Sequence, residues 1–444
     1  MRNKKLNILF FLPLLSVAIL AQETKKWTLT ECIEYAEENN ISIQQQTLNA
    51  EYQNNNYRQK KLDKFPTLNG NVGYQLSFGR VPDETTYEYV DQTTQFGRFS
   101  FGTSVPLFQG FALRNEEKQS EANWRMSQNE LEAAKNDLAI NITAYYLQVL
   151  FDKELLEVAH EQYRVAEEQV KNTQKLVEAG RVAEGNLLEI KSQAAREAME
   201  VTRMENNLKL SLLNLAQALD LENPEGFDVV APEIPELEQQ ALMTPPELFN
   251  IAVDIMPRIE AYQHNLASSE YALKVAKGNL YPSLYLDAGW NTNVSKSKNS
   301  VDFDFGQRFR DNATQYVGLT LRIPVFNNLS ARTGVKNAKL GIRSAQLDLQ
   351  QEKQTLRKEI QQAYADAEAA FQKFQSARTA VLAYEESLRY TEKKYAVGLV
   401  SPVDYSVARA DYLKAQSDFL QSKYEYVLRT RILDFYMGEE LALD

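Results

Sequence analysis

The 444-residue sequence predicts an α+β membrane protein made of two copies of one unit, each a β-hairpin followed by a long antiparallel coiled-coil hairpin. Three observations support this prediction. A short motif recurs at a constant spacing, four segments alternate apolar and polar residues, and long segments without proline carry an apolar heptad repeat. The recurrence defines the two units, and the two periodicities define the strands and helices within each.

The recurring motif is a four-residue segment with proline in second place. Residues 105–108 read Val-Pro-Leu-Phe, and residues 323–326, which lie 218 positions later (323 − 105), read Ile-Pro-Val-Phe. The same spacing joins three further pairs: Arg114 and Arg332, Tyr146 and Tyr364, Gly180 and Gly398. We expect Pro106 and Pro324 each to close a strand and to begin a helix, because the first helical position does not need an N–H donor.

The first 21 residues have the form of a secretory signal peptide. Arg2, Lys4 and Lys5 provide a basic start, residues 6–20 are mainly apolar, and Ala21 precedes a plausible cleavage point. The apolar run is shorter than the roughly 20 residues that a membrane-spanning helix needs, which disfavours an anchor. The sequence therefore predicts export of a mature chain that begins at Gln22.

A helix is predicted over residues 29–64, where apolar side chains follow a helical period. Cys32 lies in this segment and is the only cysteine of the chain, so it cannot form an internal disulfide. Its expected role is that of a small buried apolar group.

Alternation of apolar or small residues with polar ones predicts strands at about 67–79, 96–108, 283–294 and 314–326. Polar loops are expected between the strands of each pair, at 79–95 and 295–313. Each strand has about the 10 residues that cross a bilayer at a tilt, and Leu76 and Leu319 are then expected to face lipid while Gln75 and Thr320 face the lumen. A soluble sandwich sheet shows similar alternation, but four such strands behind a signal peptide favour a membrane barrel.

Residues 109–178 and 327–395 contain no proline and carry apolar residues every seven positions, which is typical of coiled-coil helices. The rows are Ile142, Val149, Leu156, Tyr163, Val170 and Val177 in the first unit and Ile360, Ala367, Phe374, Val381, Leu388 and Tyr395 in the second. Gly180 and Gly398 follow these helices as C-terminal caps do. Return helices, with rows that begin at Leu187 and Tyr405, complete helical hairpins over 109–221 and 327–437.

These elements divide the mature chain into a first repeat at 22–221 and a second repeat at 247–437. Residues 222–246 contain five prolines and are interpreted as the linker between the repeats. Residues 438–444 form a short tail with no predicted element.

The residue types that catalysis requires are not arranged as an active site. His160 and His264, the only histidines, lie in different units, and no phosphate loop, nucleotide fingerprint or metal-ligand spacing is present. The formal net charge of −11 and the lack of a basic patch disfavour nucleic-acid binding. We therefore predict that the protein is not an enzyme and has no cofactor or metal site.

One charged pattern stands out on the second return helix. Asp404, Asp411, Asp418 and Glu425 recur every seven residues and so share one face. Two interpretations remain open. Either the acids form a solvated coiled-coil flank, with Ser401 and Asp404 as a helix capping box, or they line an aqueous passage. Asn186 occupies the position of Asp404 in the first unit, so the two hairpins differ in charge.

The signal peptide, the duplicated unit, the strand-ending prolines and the glycine tips together resemble the TolC-like outer-membrane efflux protein family. The resemblance implies a homotrimer in which each subunit supplies four strands to a twelve-stranded β-barrel and four helical segments to a periplasmic tunnel. It also implies residence in the bacterial outer membrane, contact with outer-membrane lipid, and two partners, a periplasmic adaptor protein and an inner-membrane pump. The residues by themselves require only that several chains close the barrel, because open sheet edges cannot face lipid.

The resemblance also implies which residues meet the adaptor. The segment Val397-Gly398-Leu399-Val400 is similar to the family's tip sequence, and Gly180, Arg181 and Val182 form a weaker match in the first unit.

A pore constriction at Asp404, Tyr395 and Asp411 is implied in the same way. Asp404 aligns with an acidic ring of the family's tunnel, Tyr395 aligns with a tyrosine of its closing latch, and Asp411 is the next acid of the row. Val400 stands where the latch has an arginine, and Asn186 stands where it has an acid. A charged latch of the family's kind is therefore not expected.

The predicted function is that of a passive outer-membrane exit duct for small molecules within a tripartite efflux system. Export of proteins in a type I secretion system is an alternative that the residues do not separate from it. A non-transporting coiled-coil surface scaffold is an alternative of another class, but it leaves the amphipathic strands without a role.

Overall fold

The structure is a computed structural model that describes residues 26–82, 88–232, 237, 242–297 and 303–443. The predicted signal peptide at 1–21 lies outside the described residues. The elements before the junction of the repeats are β1 Lys26–Trp27, α1 Leu29–Asn39, α2 Ile41–Leu62, β2 Thr67–Pro82, β3 Tyr89–Gln109, α3 Ala112–Glu178 and α4 Glu184–Ala218. Those that follow are β4 Asp228–Val229, α5 Pro245–Ile255, α6 Pro257–Gly278, β5 Ser283–Ser297, α7 Phe305–Asp311, β6 Thr314–Arg322, α8 Ser330–Ala396 and α9 Pro402–Tyr436.

The tandem repeat is confirmed in three dimensions, and the lengths of corresponding helices are equal. α3 and α8 each have 67 residues, and α4 and α9 each have 35. The repeat extends upstream of the strands, where α1 and α5 have 11 residues and α2 and α6 have 22. Substitution between the repeats has therefore preserved the helical framework.

The single helix predicted over 29–64 is wrong in one respect, because the chain breaks at Asn40. This residue is extended (φ −63°, ψ 126°), and its side-chain oxygen accepts hydrogen bonds from the N–H groups of Ser42 and Ile43 at the start of α2. The N–H of Ile41 donates to the Asp220 carboxylate at 2.9 Å, which ties the break to the end of α4. Cys32 is fully buried in the adjoining core, as expected.

Residues 222–246 are more than a linker. β4 pairs in parallel with β1, and Val229 is fully buried in a core formed with α1, α3 and α4. The Tyr146 hydroxyl donates to the Val230 carbonyl at 2.6 Å, which holds this segment against α3. The tail likewise has no helix or strand among its described residues, but Leu443 is buried in the same core. Periodicity could not reveal either contact, because both segments are too short to show a period.

The long helices make contacts of two kinds along their length. α3 would be about 100 Å long at 1.5 Å per residue, roughly twice the length of α4. Its distal half therefore forms the hairpin with α4, whereas its proximal half packs against α2 and α6. No helix among the described residues is both long and apolar enough to cross a bilayer.

The four predicted strands form one antiparallel sheet in the order β2-β3-β5-β6. β2, β3 and β5 are longer than expected, and β2 and β3 continue pairing to Pro82 and Tyr89. The predicted loop at 79–95 is correspondingly shorter. β6 ends at Arg322, so residues 323–326 are not part of it, and the expected loop at 295–313 contains α7. The length of each strand is set by how far it pairs with its neighbour. The alternation of apolar and polar residues within one strand carries no information about this pairing.

The expected role of the two prolines is wrong. Pro106 lies inside β3 at a β-bulge, and Pro324 lies beyond the end of β6. The helices begin later, each after two residues with left-handed backbone: Gly110 (φ 58°) and Phe111 (φ 65°), and Asn328 (φ 51°) and Leu329 (φ 62°). A sharp reversal from strand to helix requires this conformation, which proline cannot adopt.

Candidate channel site

Both helical hairpins end in the same glycine-centred turn. Gly180 and Gly398 have φ of 69° and 76°, and the next residue in each case donates its N–H five residues back, from Arg181 to Leu176 and from Leu399 to Lys394, at 2.8 Å. This is the Schellman arrangement, in which a left-handed residue satisfies the last carbonyl groups of a helix. The prediction that the two glycines cap the long helices is confirmed.

The predicted tip residues of the two repeats differ in what they present to solvent. Val397 and Leu399 are 70% and 74% exposed at the second tip. At the first tip Arg181 is exposed and Val182 is half-buried, as is Val400 at the second. The second tip therefore offers a small apolar surface, and the first offers a positive charge.

Asp404 is exposed and forms the capping box that the sequence suggested. Its carboxylate accepts from the Ser401 hydroxyl at 2.7 Å and from the Ser401 N–H at 3.2 Å, while its own N–H donates to the Ser401 hydroxyl at 3.1 Å. Hydrogen bonds from the Ser401 side chain and backbone lower the pKa of Asp404. The carboxylate is thus ionised and held in place at the start of α9. Asp411 is exposed further along the same helix.

Tyr395 lies against its own hairpin. Its ring stacks on that of Tyr405 with centroids 5.1 Å apart and planes 18° apart, so it joins the end of α8 to the start of α9. The buried Tyr405 hydroxyl accepts a hydrogen bond from Gln169 of α3 and donates one to Glu392 at 3.3 Å. Burial is the main reason that the pKa of both tyrosines is raised, and the negative charge of Glu189 on α4 adds to it for Tyr395. The second tip therefore contacts the first hairpin.

Arg409 is a functional candidate that the sequence analysis missed. Its side chain is 1% exposed and lies between α9 and the first hairpin. Its Nε donates to the Gln162 side-chain oxygen at 3.0 Å, and its Nη2 donates to the Gln162 carbonyl. Glu197 of α4, which is also buried, lies 4.0 Å away. A buried guanidinium beside a carboxylate thus joins the two hairpins near their tips.

A sequence signal for this contact does exist. A second row follows the aromatic row of α9 four residues later with the same seven-residue spacing, and all its members are polar: Arg409, Gln416, Lys423 and Thr430. Lys423 donates to Glu154 of α3 at 2.7 Å, as Arg409 does to Gln162. Arg409 and Lys423 of this row therefore attach α9 to the first hairpin by hydrogen bonds, beside the apolar packing of Tyr424 and Val427 in the core that contains α3.

An open groove of about 880 Å³ separates α4 from α9 beside this contact. Its walls carry charged side chains of α4 together with the exposed valines at 403 and 407 of α9. Asp418, a member of the acidic row, lies at its edge, whereas Glu425 pairs with Lys373 at 2.7 Å and is thus engaged within its own hairpin. The four acids of the row therefore have different surroundings.

The strand register places all four apolar faces on one side of the sheet. Val72 pairs with Phe99, Phe101 with Trp290, and Leu286 with Leu319, and directly paired residues lie on the same face. The apolar face comprises Leu68, Val72, Tyr74, Leu76 and Phe78 of β2, Phe99, Phe101, Thr103 and Val105 of β3, Leu284, Leu286, Ala288 and Trp290 of β5, and Val317, Leu319 and Leu321 of β6. Many of these side chains are exposed, so most of the face is not covered by any of the residues that the structure describes.

The opposite face is polar. Asn71 pairs with Ser100, and Ser100 pairs with Asn291, so a polar row crosses three strands. The Thr320 hydroxyl donates to the Asp287 carboxylate at 2.9 Å and links β6 to β5 on this face. Gln75 lies on the same side, opposite Leu76. A sheet with one wide apolar face and one polar face is suited to separate lipid from water.

Comparison with known proteins gives a family and a fold. The family model described as "Outer membrane efflux protein" matches residues 32–220 and 250–439, once in each repeat. A comparison with curated protein sequences found no match.

Solved structures of the same fold cover nearly the whole chain. The chain is similar to CusC (TM-score 0.78, 17% identity, 93% of this chain and 92% of that one). It is also similar to the Campylobacter jejuni CmeC outer membrane channel (0.77, 19%, 94% and 87%). The open state of the Neisseria gonorrhoeae MtrE outer membrane channel is a further match (0.72, 16%, 94% and 90%). At these identities the likeness establishes the fold.

Proposed function

The chain belongs to the outer membrane efflux protein family, whose members are channels and not enzymes, and from this premise we propose that it is the outer-membrane channel of a tripartite efflux system for small molecules. In this role it provides a passive path, and an inner-membrane pump supplies the energy. The observation that carries the proposal is the single apolar face shared by all four strands. A face of this width, exposed in one chain, is suited to contact with lipid.

Closure of the barrel requires copies of the chain. β2 and β6 are the edges of the sheet, and unpaired edges cannot be exposed within a bilayer. β6 of one subunit runs antiparallel to β2 and can therefore pair with β2 of the next. A homotrimer would make a barrel of twelve strands, continued by the long helices as a periplasmic tunnel.

A matched pair of substitutions on β6 tests the orientation of the sheet. We expect Leu319→Arg to destabilise the inserted barrel by about 2–4 kcal/mol and Thr320→Arg, which changes the next residue on the polar face, by much less. The measurement is the amount of heat-sensitive oligomer recovered from outer membranes. Equal yields of the two variants would show that the assignment of the faces is wrong, and a stable monomer in bilayers would contradict the barrel.

The helical tips are proposed as the contact with the periplasmic adaptor. The two glycine-centred turns expose their side chains at the end of the molecule farthest along the helices from the sheet, and Val397 and Leu399 offer apolar surface there. We expect a photocrosslinker at Leu399 or Arg181 to capture the adaptor in cells. Leu340, an exposed leucine in the proximal part of α8, is the matched control and is expected to capture none. Equal capture from Leu340 would show that the tips are not the contact.

The pore constriction is proposed at Asp404, with Tyr395 and Asp411 beside it. Symmetry would place one copy of Asp404 from each subunit around the axis, and the capping box holds each carboxylate ionised. A ring of like charges attracts cations. We therefore expect cation selectivity and block by multivalent cations from the periplasmic side.

Single-channel recording of Asp404→Asn separates this role from capping, because the asparagine side-chain oxygen can still accept the hydrogen bonds from Ser401 but the charge is lost. Loss of cation block in Asp404→Asn supports the constriction. Block that persists in Asp404→Asn and disappears in Asp411→Asn would move the constriction along α9, and block that persists in both variants would leave Asp404 with a structural role alone.

A further inference from the structure

The short helix α7 lies on the apolar face of the sheet. The Phe309 ring contacts Trp290 of β5 (centroids 5.6 Å apart) and Phe99 of β3 (5.3 Å), and Phe305 approaches Phe99 at 6.2 Å. The Thr292 hydroxyl, on the same face, donates to the Phe309 carbonyl at 2.7 Å. Since this face is the one proposed to meet lipid, α7 is on the outer wall of the barrel rather than inside it.

Side-chain hydrogen bonds to the backbone of β5 fix α7 in this position. β6 begins at Thr314, opposite Asn291, but β5 continues to Ser297, so beyond Asn291 no strand of the described part of the chain pairs with this edge of β5. Arg308 donates to the Ser295 carbonyl at 2.6 Å, and Asn312 donates to the Asn293 carbonyl at 2.8 Å. The helical segment therefore takes the place of the missing part of β6 and satisfies acceptors that an open edge would leave exposed.

The polarity of β3 and β5, the two strands that α7 contacts, changes just beyond the level of α7. On the tunnel side of Trp290 the same face carries Ala288 and Leu286 of β5, whereas beyond the Gly97–Val294 pair it carries Gln95 of β3 and Lys296 of β5. β2, which α7 does not contact, remains apolar as far as Phe78. Aromatic residues gather at this kind of boundary in membrane barrels, because their rings suit the headgroup level. The tunnel helices begin at the opposite end of the strands, so the boundary at α7 is the outer one.

Resting on the proposed barrel, we propose that α7 is an interfacial helix on the outer wall of the barrel, embedded at the headgroup level of the outer leaflet. The exposed aromatic surface of α7 contacts the lipid of that leaflet. Phe305 is 50% exposed and extends the apolar face beyond the strands. Asp304, the N-cap, and Asp311, the last residue of the helix, balance Arg308 and Arg310, so the contact is made by the aromatic surface and not by net charge. Such a helix sets the depth of the barrel in the membrane.

Site-directed fluorescence measures this depth. Cys32 is the only native cysteine and is fully buried, so a cysteine introduced elsewhere can be labelled selectively. Phe305→Cys is labelled with a small fluorophore in the reconstituted oligomer, in vesicles whose lipids carry a nitroxide either near the headgroup or at the chain end. We expect the label to lose more emission to the headgroup nitroxide than to the chain-end nitroxide. Gln307→Cys retains both phenylalanines of α7, and its label is also expected to be quenched more by the headgroup nitroxide than by the chain-end nitroxide.

Two controls separate this inference from the proposed function. A label at Leu319→Cys is expected to lose more emission to the chain-end nitroxide, and one at Thr320→Cys is expected to be quenched by aqueous iodide and by neither lipid. If Leu319 behaves so but Phe305 and Gln307 are quenched by iodide alone, α7 stands clear of the bilayer and the inference is overturned. If Leu319 is not quenched by lipid, the barrel itself is wrong.

Discussion

The first helical hairpin, α3 with α4, and the second, α8 with α9, share helix lengths and glycine turns but pack with different side chains. The return helix of the first packs aliphatic residues, such as Val201 and Met204. That of the second packs rings, with Phe419 stacked on Phe374 and Tyr426 against Phe371. The backbone periodicity required for a coiled coil has been retained, while the side chains that fill it have diverged.

A larger difference between the two return helices lies on the face of each helix next to its hairpin core. The polar row of α9, which contacts the first hairpin, has different residues at its equivalents in α4: Lys191, Ala198, Glu205 and Leu212. Lys191, the equivalent of Arg409, is exposed. The second hairpin is thus attached to the first by hydrogen bonds from Arg409 and Lys423, in addition to the apolar packing of Tyr424 and Val427. The comparison shows that duplication supplied two equal hairpins and that substitution on one face gave them different roles.

Replacing the two equivalent cations is expected to give the largest effect. Arg409→Ala leaves buried Glu197 without its cation and the Gln162 carbonyl without a donor, a loss of about 3–5 kcal/mol for a buried pair. Lys191→Ala removes an exposed side chain and is expected to change stability by less than about 0.5 kcal/mol. Amide hydrogen exchange along the distal part of α9 measures both. Unchanged protection in Arg409→Ala would show that the attachment lies elsewhere.

Substitutions in the left-handed turns before α3 and α8 are expected to give the next largest difference in stability between the two repeats. A Cβ at Gly110 would lie 2.4 Å from the Gly278 carbonyl oxygen at a φ of 58°, so Gly110→Ala is expected to cost roughly 2–5 kcal/mol from strain and overlap. Asn328, at the same place in the second repeat, already has a side chain, and Asn328→Ala is expected to cost about 1 kcal/mol. The apparent midpoint of thermal unfolding of the oligomer is the measurement. A larger drop for Asn328→Ala would reverse the comparison.

The N-cap residues of α9 and α4 differ, and substitution can exchange them between the repeats. Ser401 caps α9, whereas Ala183 occupies the same position in α4 with the same extended backbone and no side-chain hydrogen bond. We expect Ser401→Ala to destabilise the first turn of α9 by about 1 kcal/mol and Ala183→Ser to stabilise that of α4 by a similar amount. Hydrogen exchange of the first-turn amides reports each change. No gain in Ala183→Ser would indicate that α4 is capped by another group.

Acidification is expected to give the smallest effect, and only at the second tip. The pKa of Asp404 is lowered by its hydrogen bonds with Ser401, so the folded state favours the ionised form. Its contribution is complete above the usual carboxyl pKa of about 4 and is lost as the pH falls through the lower folded value. Asn186 at the first tip does not titrate. Fraying of α9 alone below about pH 4, absent in Asp404→Asn, is the expected result; equal fraying of α4 would contradict it.

Features that depend on nearby residues were predictable from the sequence. The duplication, the strands, the heptad helices and the glycine caps all follow from local periods or from single backbone conformations, and the structure contains each of them. The apolar side of each strand was also predictable, because alternation assigns faces residue by residue. The prediction failed locally where backbone geometry overrode a residue preference, as at Pro106, where a β-bulge keeps the chain in the strand.

Which surfaces meet was decided by the tertiary structure alone. Arg409 and Gln162 are 247 residues apart, and no period in either helix specifies the other as its partner. The pairing of β1 with β4, the burial of Leu443 and the position of α7 on the sheet are of the same kind. The physical reason is that local sequence sets the free energy of one segment, whereas these contacts exist only when two distant segments are packed together and excluded from water.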